Sequence, residues 1–437
     1  MINYLTYNIK EHNTVWFKVP FTDDGSSFWS KLYVDLKEWV KYLLHFNYHF
    51  EAIPPLKEVV FLITTDNQNR ALEPIYSKMD SAIYSIIDTR QKNPFYPKKK
   101  WLNYSMLFVA NLIITYCFST REDKRRIAKK YKQIMPTIGV MKCTKDIFAH
   151  CSNVKLVVLA NDHSAIHRSI IKLAPLYGIK TLYTQHCSIA SHFPSLQFSY
   201  SFLDGEETFE KYKSIGDMRG TIYISGNPRF DKIAEYKSHK KPSEVVGIAI
   251  NLLDDEAMVK CLCEQLLKDG YKLCVRPHPR QTLSYYDWYV ENGIEISDSK
   301  TETPFEFAAR VRVIIAGETG LHFDAAMMGV NSICYIFDGK PVIDWYSYIQ
   351  NGLISYAKNI HDLSELLHQR MQHQCKENNN ILRWYNAAYM TGQEGHIGEQ
   401  IRDFIICVLQ DRILDFDAQY GYQAINTQSS YTKMVYL

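Results

Sequence analysis

The residues best suited to chemistry in this 437-residue chain stand directly after short apolar runs. Arg276, His278 and Arg280 follow the run KLCV, and Pro277 and Pro279 fix the backbone on both sides of the histidine. Guanidinium and imidazole groups are common donors to phosphate oxygens. The stretch therefore predicts a preorganised anion site. The alternative is a histidine that caps a turn beside two solvated arginines.

A glycine-rich segment extends this predicted site. Gly317, Glu318, Thr319 and Gly320 follow the run VRVIIA and precede a helical pattern that runs from Thr319 to Met328. Glycine allows backbone N–H groups to approach a ligand closely, and the start of a helix favours phosphate. We expect this segment and the Arg276–Arg280 segment to bind one phosphate-bearing ligand.

Acid–base chemistry is predicted nearer the N-terminus. Asp162 and His163 follow the run KLVVLA, and His186 follows the run KTLYT. Histidine titrates near neutrality, and a desolvated aspartate can take a proton from a hydroxyl. Because adjacent parallel strands end about 5 Å apart, Asp162 and His186 are expected to reach one substrate. Two structural alternatives remain: Asp162 as the N-cap of the next helix, and His186 as a buried, hydrogen-bonded residue.

The elements that must position these residues alternate between strand and helix. Apolar strand patterns recur from Lys155 onward, with helical patterns between them, which is typical of a parallel sheet with crossover helices. A charged, proline-containing stretch at 235–244 is a plausible linker. We therefore expect an α/β protein with two doubly wound, Rossmann-like domains. The domains are residues 1–235 and 245–395, followed by a helical segment at 397–437 that packs back on the first domain.

Composition and motifs exclude several classes of protein. The net charge of +3 is too small to predict nucleic-acid binding. Ten cysteines without a CxxC pair indicate reduced thiols, and the N-terminus has no secretory pattern, so we expect a cytoplasmic protein. Neither GxGxxG nor a P-loop occurs. The pairs His45/His49 and Asp415/Asp417 lack further ligands, so no metal and no cofactor are expected.

One apolar segment bears on membrane contact. Trp101 to Phe118 is nearly long enough to span a bilayer and is flanked by Lys98–Lys100 and by a basic stretch from Arg121 to Lys132. Two asparagines within the segment argue against full insertion. We favour a buried helix of the first domain, with a surface-lying, membrane-contacting element as the alternative.

Four motifs, TQHC, SGNPRFD, VRPHPR and AGETGLHFDAAMMGV, resemble in this order those of GT-B transferases that build bacterial surface polymers. The groups concerned are CDP-glycerol glycerophosphotransferases, polysialyltransferases and capsule-type Kdo transferases. The resemblance covers roughly 156–352. It departs from the glycerophosphotransferases in having Cys187 in place of glycine and Glu318-Thr319-Gly320 in place of paired serines. The matching positions are His186, Asn227-Pro228-Arg229 with Asp231, His278-Pro279, and Thr319-Gly320 with Asp324.

The resemblance implies a GT-B fold and a metal-independent glycosyltransferase for a bacterial surface polysaccharide such as a capsule or O-antigen. It implies a CMP-, CDP- or UDP-linked donor, a lipid-linked or glycan acceptor, and a peripheral position on the inner face of the cytoplasmic membrane. A CDP-polyol phosphotransferase, a sugar-nucleotide epimerase of the same fold and a non-catalytic binding protein remain alternatives. The implied donor-binding residues are Arg276, His278, Arg280, Glu318, Thr319, Gly320, Asn227 and Arg229.

Overall fold

The computed structural model describes residues 3–4, 7–18, 28–44, 52–107, 109–252, 254–281, 286–373, 378–425 and 434–436. His45 and His49 lie outside these residues. The strands are β1 (Val59–Ile63), β2 (Tyr84–Asp88), β3 (Leu156–Leu159), β4 (Lys180–Thr184), β5 (Gln197–Leu203), β6 (Arg219–Ile224), β7 (Val245–Ala249), β8 (Lys272–Arg276), β9 (Glu295–Ile296), β10 (Val313–Ala316), β11 (Asn331–Tyr335), β12 (Ser355–Ala357), β13 (Gln423–Ile425) and β14 (Met434–Tyr436).

The helices occupy both the N-terminal region and the crossovers between strands. They are α1 (Ile9–His12), α2 (Thr14–Lys18), α3 (Phe28–Leu43), α4 (Asp66–Tyr76), α5 (Lys98–Leu107), α6 (Val109–Cys117), α7 (Arg121–Ile134), α8 (Pro136–His150), α9 (Ala165–Leu173), α10 (Glu206–Ile215), α11 (Ile233–Ser238), α12 (Glu256–Lys268), α13 (Asp287–Glu291), α14 (Pro304–Arg310), α15 (Leu321–Met327), α16 (Ile360–Gln372), α17 (Asn379–Tyr385), α18 (Ile397–Leu409) and α19 (Ile413–Tyr420). Short 3₁₀ helices lie at Ala174–Tyr177 and Pro228–Phe230.

Two sheets define two domains. The first has the strand order β13-β14-β6-β5-β4-β3-β1-β2, and the second has the order β12-β11-β10-β7-β8-β9. Neighbouring strands are parallel except β13 and β14. The central strands β1, β3 and β10 are buried along their whole length, as expected for sheets covered by helices on both faces. The predicted α/β fold with two Rossmann-like domains is confirmed.

The C-terminal helices return to the first domain. Ile401, Phe404 and Phe416 of α18 and α19 pack in one core with Phe61 and Val158 of the first sheet. The start of α18 is fixed because the carboxylate of Asp231 accepts the backbone N–H groups of the first two residues of the helix, at 3.1 and 2.8 Å. A β-carbon at Gly398 would lie 2.5 Å from the Pro74 carbonyl oxygen, so only glycine permits this close approach.

The apolar segment from Trp101 to Phe118 is divided between two helices with different surroundings. Helix α5 buries Leu102 and packs against α8. In α6 only Asn111 is buried, and Ile113 and Phe118 are 57% and 89% exposed. The expectation of a single buried helix therefore holds for α5 and is wrong for α6. Among the described residues, no helix has the length and apolar character needed to cross a membrane.

Candidate functional site

A buried carboxylate holds a histidine at the carboxyl end of β3. Asp162 is 1% exposed, and its Oδ1 lies 2.8 Å from Nδ1 of His163. Its Oδ2 accepts a hydrogen bond from the Tyr212 hydroxyl at 2.6 Å. With the Nδ1–H donated to the carboxylate, Nε2 of His163 is the acceptor nitrogen of the ring, and the side-chain nitrogen of Asn161 lies 3.4 Å from it. We call Asp162, His163 and Tyr212 the first-domain triad.

The turn that carries the triad is fixed by Asn161. Its side-chain Oδ1 accepts the backbone N–H groups of His163 and Ser164, both at 2.9 Å. Helix α9 then begins at Ala165, with Ser164 as its N-cap. The alternative in which Asp162 caps this helix is therefore wrong. The carboxylate is available to orient the imidazole instead.

His186 lies beside the triad, as the adjacency of β3 and β4 predicts. Leu159 of β3 pairs with Tyr183 of β4, and the ring centres of His163 and His186 are 6.3 Å apart. Loss of solvent, followed by the effect of His163, lowers the pKa of His186 to about 4. A base with so low a pKa takes a proton poorly at neutral pH. His163 has 24% of its side chain exposed and a carboxylate partner, so it is the better placed of the two.

Tyr212 was not expected from the sequence. It lies on α10 and is fully buried, and its hydroxyl is also 3.2 Å from the Tyr183 hydroxyl. Because the single Tyr212 proton goes to Asp162, Tyr183 is the donor in this second hydrogen bond. Fifty positions separate Tyr212 from Asp162, and the sequence EETFEKYKSI around it reads as an ordinary amphipathic helix. No local pattern marks this contact, because it arises only from the packing of α10 behind the ends of β3 and β4.

The loops after β4, β5 and β6 are tied together by Asn227. Its side-chain amide donates to the Gln185 carbonyl and to Oδ1 of Asp204, both at 2.9 Å, while its Oδ1 accepts the Arg229 backbone N–H. Asn227 is 1% exposed. Its side chain therefore has a scaffolding role in this structure, and it positions Arg229 through the backbone.

Arg229 forms an ion pair between the two domains. Its Nη2 lies 2.8 Å from Oδ1 of Asp324 on α15. Burial raises the pKa of Asp324, and the guanidinium groups of Arg229, Arg70 and Arg276 partly offset that rise. Three cations thus act on one buried carboxylate at the boundary between the two domains.

In the segment after β8, some residues are held by hydrogen bonds within the protein and others are exposed to solvent. Arg276 is 7% exposed and donates to Oγ of Ser297 at 2.7 Å and to the Glu302 carbonyl at 2.8 Å, within its own domain. Nδ1 of His278 accepts the Arg280 backbone N–H at 3.2 Å, so Nε2–H is left as the donor. Burial, and then Arg280, lowers the pKa of His278, which keeps the ring neutral. Arg280 itself is exposed.

Glu318 positions a loop. Its carboxylate oxygens accept the backbone N–H groups of Ile343 and Trp345 at 3.0 and 2.9 Å. Asp344 between them has a positive φ of 54°, which is a strained conformation for a side chain other than glycine. We call residues 338–352 the clasp loop. Phosphate contact stays a prediction for Thr319 and Gly320, which precede a helix of only seven residues rather than the expected ten from 319 to 328.

The clasp loop reaches the first domain. The Tyr348 hydroxyl hydrogen-bonds to Oγ of Ser188 at 2.6 Å, and the Trp345 ring meets His192 edge-on at 5.0 Å. Phe193, the neighbour of His192, lies 4.4 Å from the His163 ring. A continuous series of contacts therefore joins Glu318 in the second domain to the first-domain triad.

The structure thus brings Asp162, His163 and His186 together and joins Arg229 to Asp324 across the cleft. Within the described residues, no three His, Cys, Asp or Glu side chains are placed to hold a metal ion. A cavity of about 220 Å³ lies among α15, β11, β12, α16 and α17, and none of the candidate residues lines it.

Comparison with solved structures agrees with this architecture. The chain is similar to UDP-GlcNAc 2-epimerase from Methanocaldococcus jannaschii, solved with UDP-GlcNAc and UDP (TM-score 0.50, 13% identity, covering 80% of this chain and 99% of that one). It is also similar to S. aureus MnaA in a UDP co-structure (TM-score 0.52, 10% identity, 81% and 97%). A putative UDP-N-acetylglucosamine 2-epimerase from Listeria monocytogenes is a third such structure (TM-score 0.51, 12% identity, 81% and 97%).

At these identities the likeness concerns the fold. No protein-family model matches the chain, and no curated protein matches it. The structural comparisons therefore establish a GT-B-like, two-domain fold for this chain.

Proposed function

We propose that this chain is a metal-independent glycosyltransferase that uses a nucleotide-activated sugar to build a bacterial surface polysaccharide. The first-domain triad is the observation that carries the proposal. A histidine whose Nδ1 is held by a buried carboxylate is an arrangement suited to general-base catalysis. Transfer to a hydroxyl requires such a base.

His163 takes the proton in the proposed reaction. Nε2 removes it from an acceptor hydroxyl as the oxygen bonds to the anomeric carbon of the donor sugar. The bond from that carbon to the donor phosphate breaks, and the nucleotide leaves with the electron pair. Asp162 stabilises the imidazolium that forms, and Tyr212 keeps the carboxylate in place.

The second domain is proposed to hold the donor. The neutral His278 offers its Nε2–H to a phosphate oxygen, and Arg229 with Arg70 and Arg276 provides positive charge near the leaving group. A UDP-linked donor is the first to test, because two structures with this fold were solved with UDP. CMP- and CDP-linked donors follow from the motif resemblance.

The acceptor is proposed to be lipid-linked or glycan, reached from the first domain at the inner face of the cytoplasmic membrane. The motif resemblance supports this assignment. A CDP-polyol phosphotransferase would use the same base and phosphate contacts, and its product would contain phosphorus from the donor.

Acceptor dependence distinguishes the proposed transferase from an epimerase, which the fold likeness supports at least as well. The purified chain would be incubated with CMP-, CDP- and UDP-linked sugars, with and without a membrane glycan extract. Products would be followed by mass spectrometry and, because epimers have the same mass, by NMR of the nucleotide sugar. Nucleotide release that requires the extract supports a transferase. Conversion of a donor without the extract identifies an epimerase and overturns the proposal.

A further inference from the structure

Exposed apolar side chains are concentrated on two helices of the first domain. Half of the exposed large apolar side chains in the described part of the chain belong to α3, α6 and the residue that follows each helix. Exposure of so many neighbouring apolar groups to water is unfavourable, and it indicates a surface that binds an apolar partner. These residues are Tyr33, Val34, Leu36, Trp39, Val40, Leu43 and Leu44 on α3, and Ile113, Ile114, Tyr116 and Phe118 on α6.

Helix α7 borders both apolar helices. Trp39 of α3 stacks on Tyr131 of α7 with ring centres 6.3 Å apart, and Asp35 accepts the Tyr131 hydroxyl hydrogen bond at 2.9 Å. Nearer the N-terminal end of α7, the Lys124 ammonium group lies 5.7 Å from the centre of the Tyr116 ring of α6. We call the exposed faces of these three helices the α3–α6–α7 surface.

The charge of α7 complements an anionic partner. Its sequence REDKRRIAKKYKQI has seven basic and two acidic residues. Arg121, Arg125 and Lys129 are exposed. A basic helix beside exposed aromatic and aliphatic groups has the two features that hold proteins on anionic bilayers, namely apolar insertion and attraction to headgroups.

We propose that the α3–α6–α7 surface docks onto an anionic lipid bilayer. A second copy of the chain is the less suitable occupant, because it would present the same excess of positive charge. The apolar residues would enter the interface between headgroups and acyl chains, and the basic residues of α7 would contact the headgroups.

The residues that form this surface differ from those that the sequence pattern indicated. Lys100 of the basic run is 5% exposed and pairs with Asp146 at 3.4 Å, so it is turned away from any partner. Leu102 of α5 is buried. The exposed contribution comes from α6 and from α3, which lies outside the apolar segment from Trp101 to Phe118.

The surface belongs to the domain that carries the triad. Helix α7 packs on α8, and α8 packs on α9, which begins two residues after His163. The inference that a lipid-linked acceptor arrives from this side rests on the proposed function. Binding of the chain to the bilayer does not rest on it, because that binding is measured without substrate.

Vesicle flotation of the full chain tests the docking. Vesicles of phosphatidylcholine would be compared with vesicles that also contain about 30% phosphatidylglycerol, an anionic lipid. The charge variant is Arg121→Gln/Arg125→Gln, and the apolar variant is Ile113→Ser/Phe118→Ser. The control, Leu176→Ser/Leu414→Ser, removes two apolar groups that are 65% and 76% exposed elsewhere.

Wild type and control should float with the anionic vesicles. The charge variant should bind about fivefold more weakly for each charge removed, and the apolar variant about tenfold or more weakly. Absence of wild-type binding, or equal binding by all variants, overturns the proposal. Sedimentation velocity that shows a dimer broken by Ile113→Ser/Phe118→Ser, without flotation, also overturns it in favour of self-association. Nucleotide binding is measured for wild type and the same variants. If it is intact while wild type does not float, the docking proposal is wrong and the proposed function is not affected.

Discussion

Asp162→Asn is the change that isolates the chemical role of the triad. Asparagine has nearly the same shape as aspartate and can still accept from Nδ1–H of His163, so the imidazole can keep its orientation. The negative charge is lost. The developing imidazolium then has no counter-charge within the 2.8 Å contact that Asp162 provides.

The expected magnitude follows from that contact. Two unit charges about 4 Å apart interact by about 4 kcal/mol at an effective dielectric constant of about 20. This corresponds to a loss of about a thousandfold in kcat, within the range of about 10²- to 10⁴-fold that a general base contributes. KM for the donor should change little, because the triad lies in the first domain.

The assay is steady-state transfer, with Asp417→Asn as the matched control. Asp417 is also a buried carboxylate that accepts a tyrosine hydrogen bond, from Tyr223 at 3.0 Å, and it lies on α19, outside the candidate site. Both variants should lose comparable stability in urea unfolding, and only Asp162→Asn should lose activity. Activity of Asp162→Asn within threefold of wild type, or an equal loss in Asp417→Asn, would refute the reasoning.

Three further predictions concern the clasp loop, a buried carboxyl group and metal dependence. Glu318→Gln removes one of two charged acceptors of loop N–H groups, so it should lower the free energy of unfolding by about 2 kcal/mol and make the clasp loop a site of limited proteolysis. A variant that resists proteolysis as well as wild type would contradict this prediction. Burial raises the pKa of Asp204 to about 7 from 3.8, so wild-type stability should fall as pH rises from about 4 to about 7. Asp204→Asn should therefore gain roughly 4 kcal/mol over wild type at pH 8 and nothing at pH 4 in urea unfolding, whereas a pH-independent difference would show that the carboxyl group is not perturbed. Activity should persist in EDTA, and a loss restored by a divalent cation would reveal a metal site.

The regular part of the fold was accessible from the sequence. The apolar runs KLVVLA, KTLYT, KLCV and VRVIIA predicted β3, β4, β8 and β10 to within one or two residues, because strands buried on both faces are continuous apolar segments. The N-terminal 150 residues were predicted poorly. Helix α3 illustrates the reason, because its apolar residues recur at helical spacing but lie on an exposed face and not in the core.

The sequence predicted where the site residues lie better than it predicted which residues they contact. Parallel strands with ordered ends bring Asp162 and His186 together without knowledge of side chains. The choice of His163 over His186 depends on rotamers and on Tyr212, which is 50 residues from Asp162. Glu318 in a glycine-rich turn predicted ligand contact, yet its carboxylate is bonded to a loop 25 residues away whose conformation the sequence does not disclose.

The central claim is that the second domain binds a nucleotide while the first supplies the base. Calorimetric titration of CMP, CDP and UDP onto wild type, His278→Ala and His163→Ala tests it most directly. One of the nucleotides should bind wild type. His278→Ala should reduce its affinity about ten- to hundredfold, since a hydrogen bond to a charged group is worth about 1.5–3 kcal/mol. His163→Ala should change the affinity less than about twofold. No binding of any nucleotide, or a loss caused by His163→Ala but not by His278→Ala, would contradict the account.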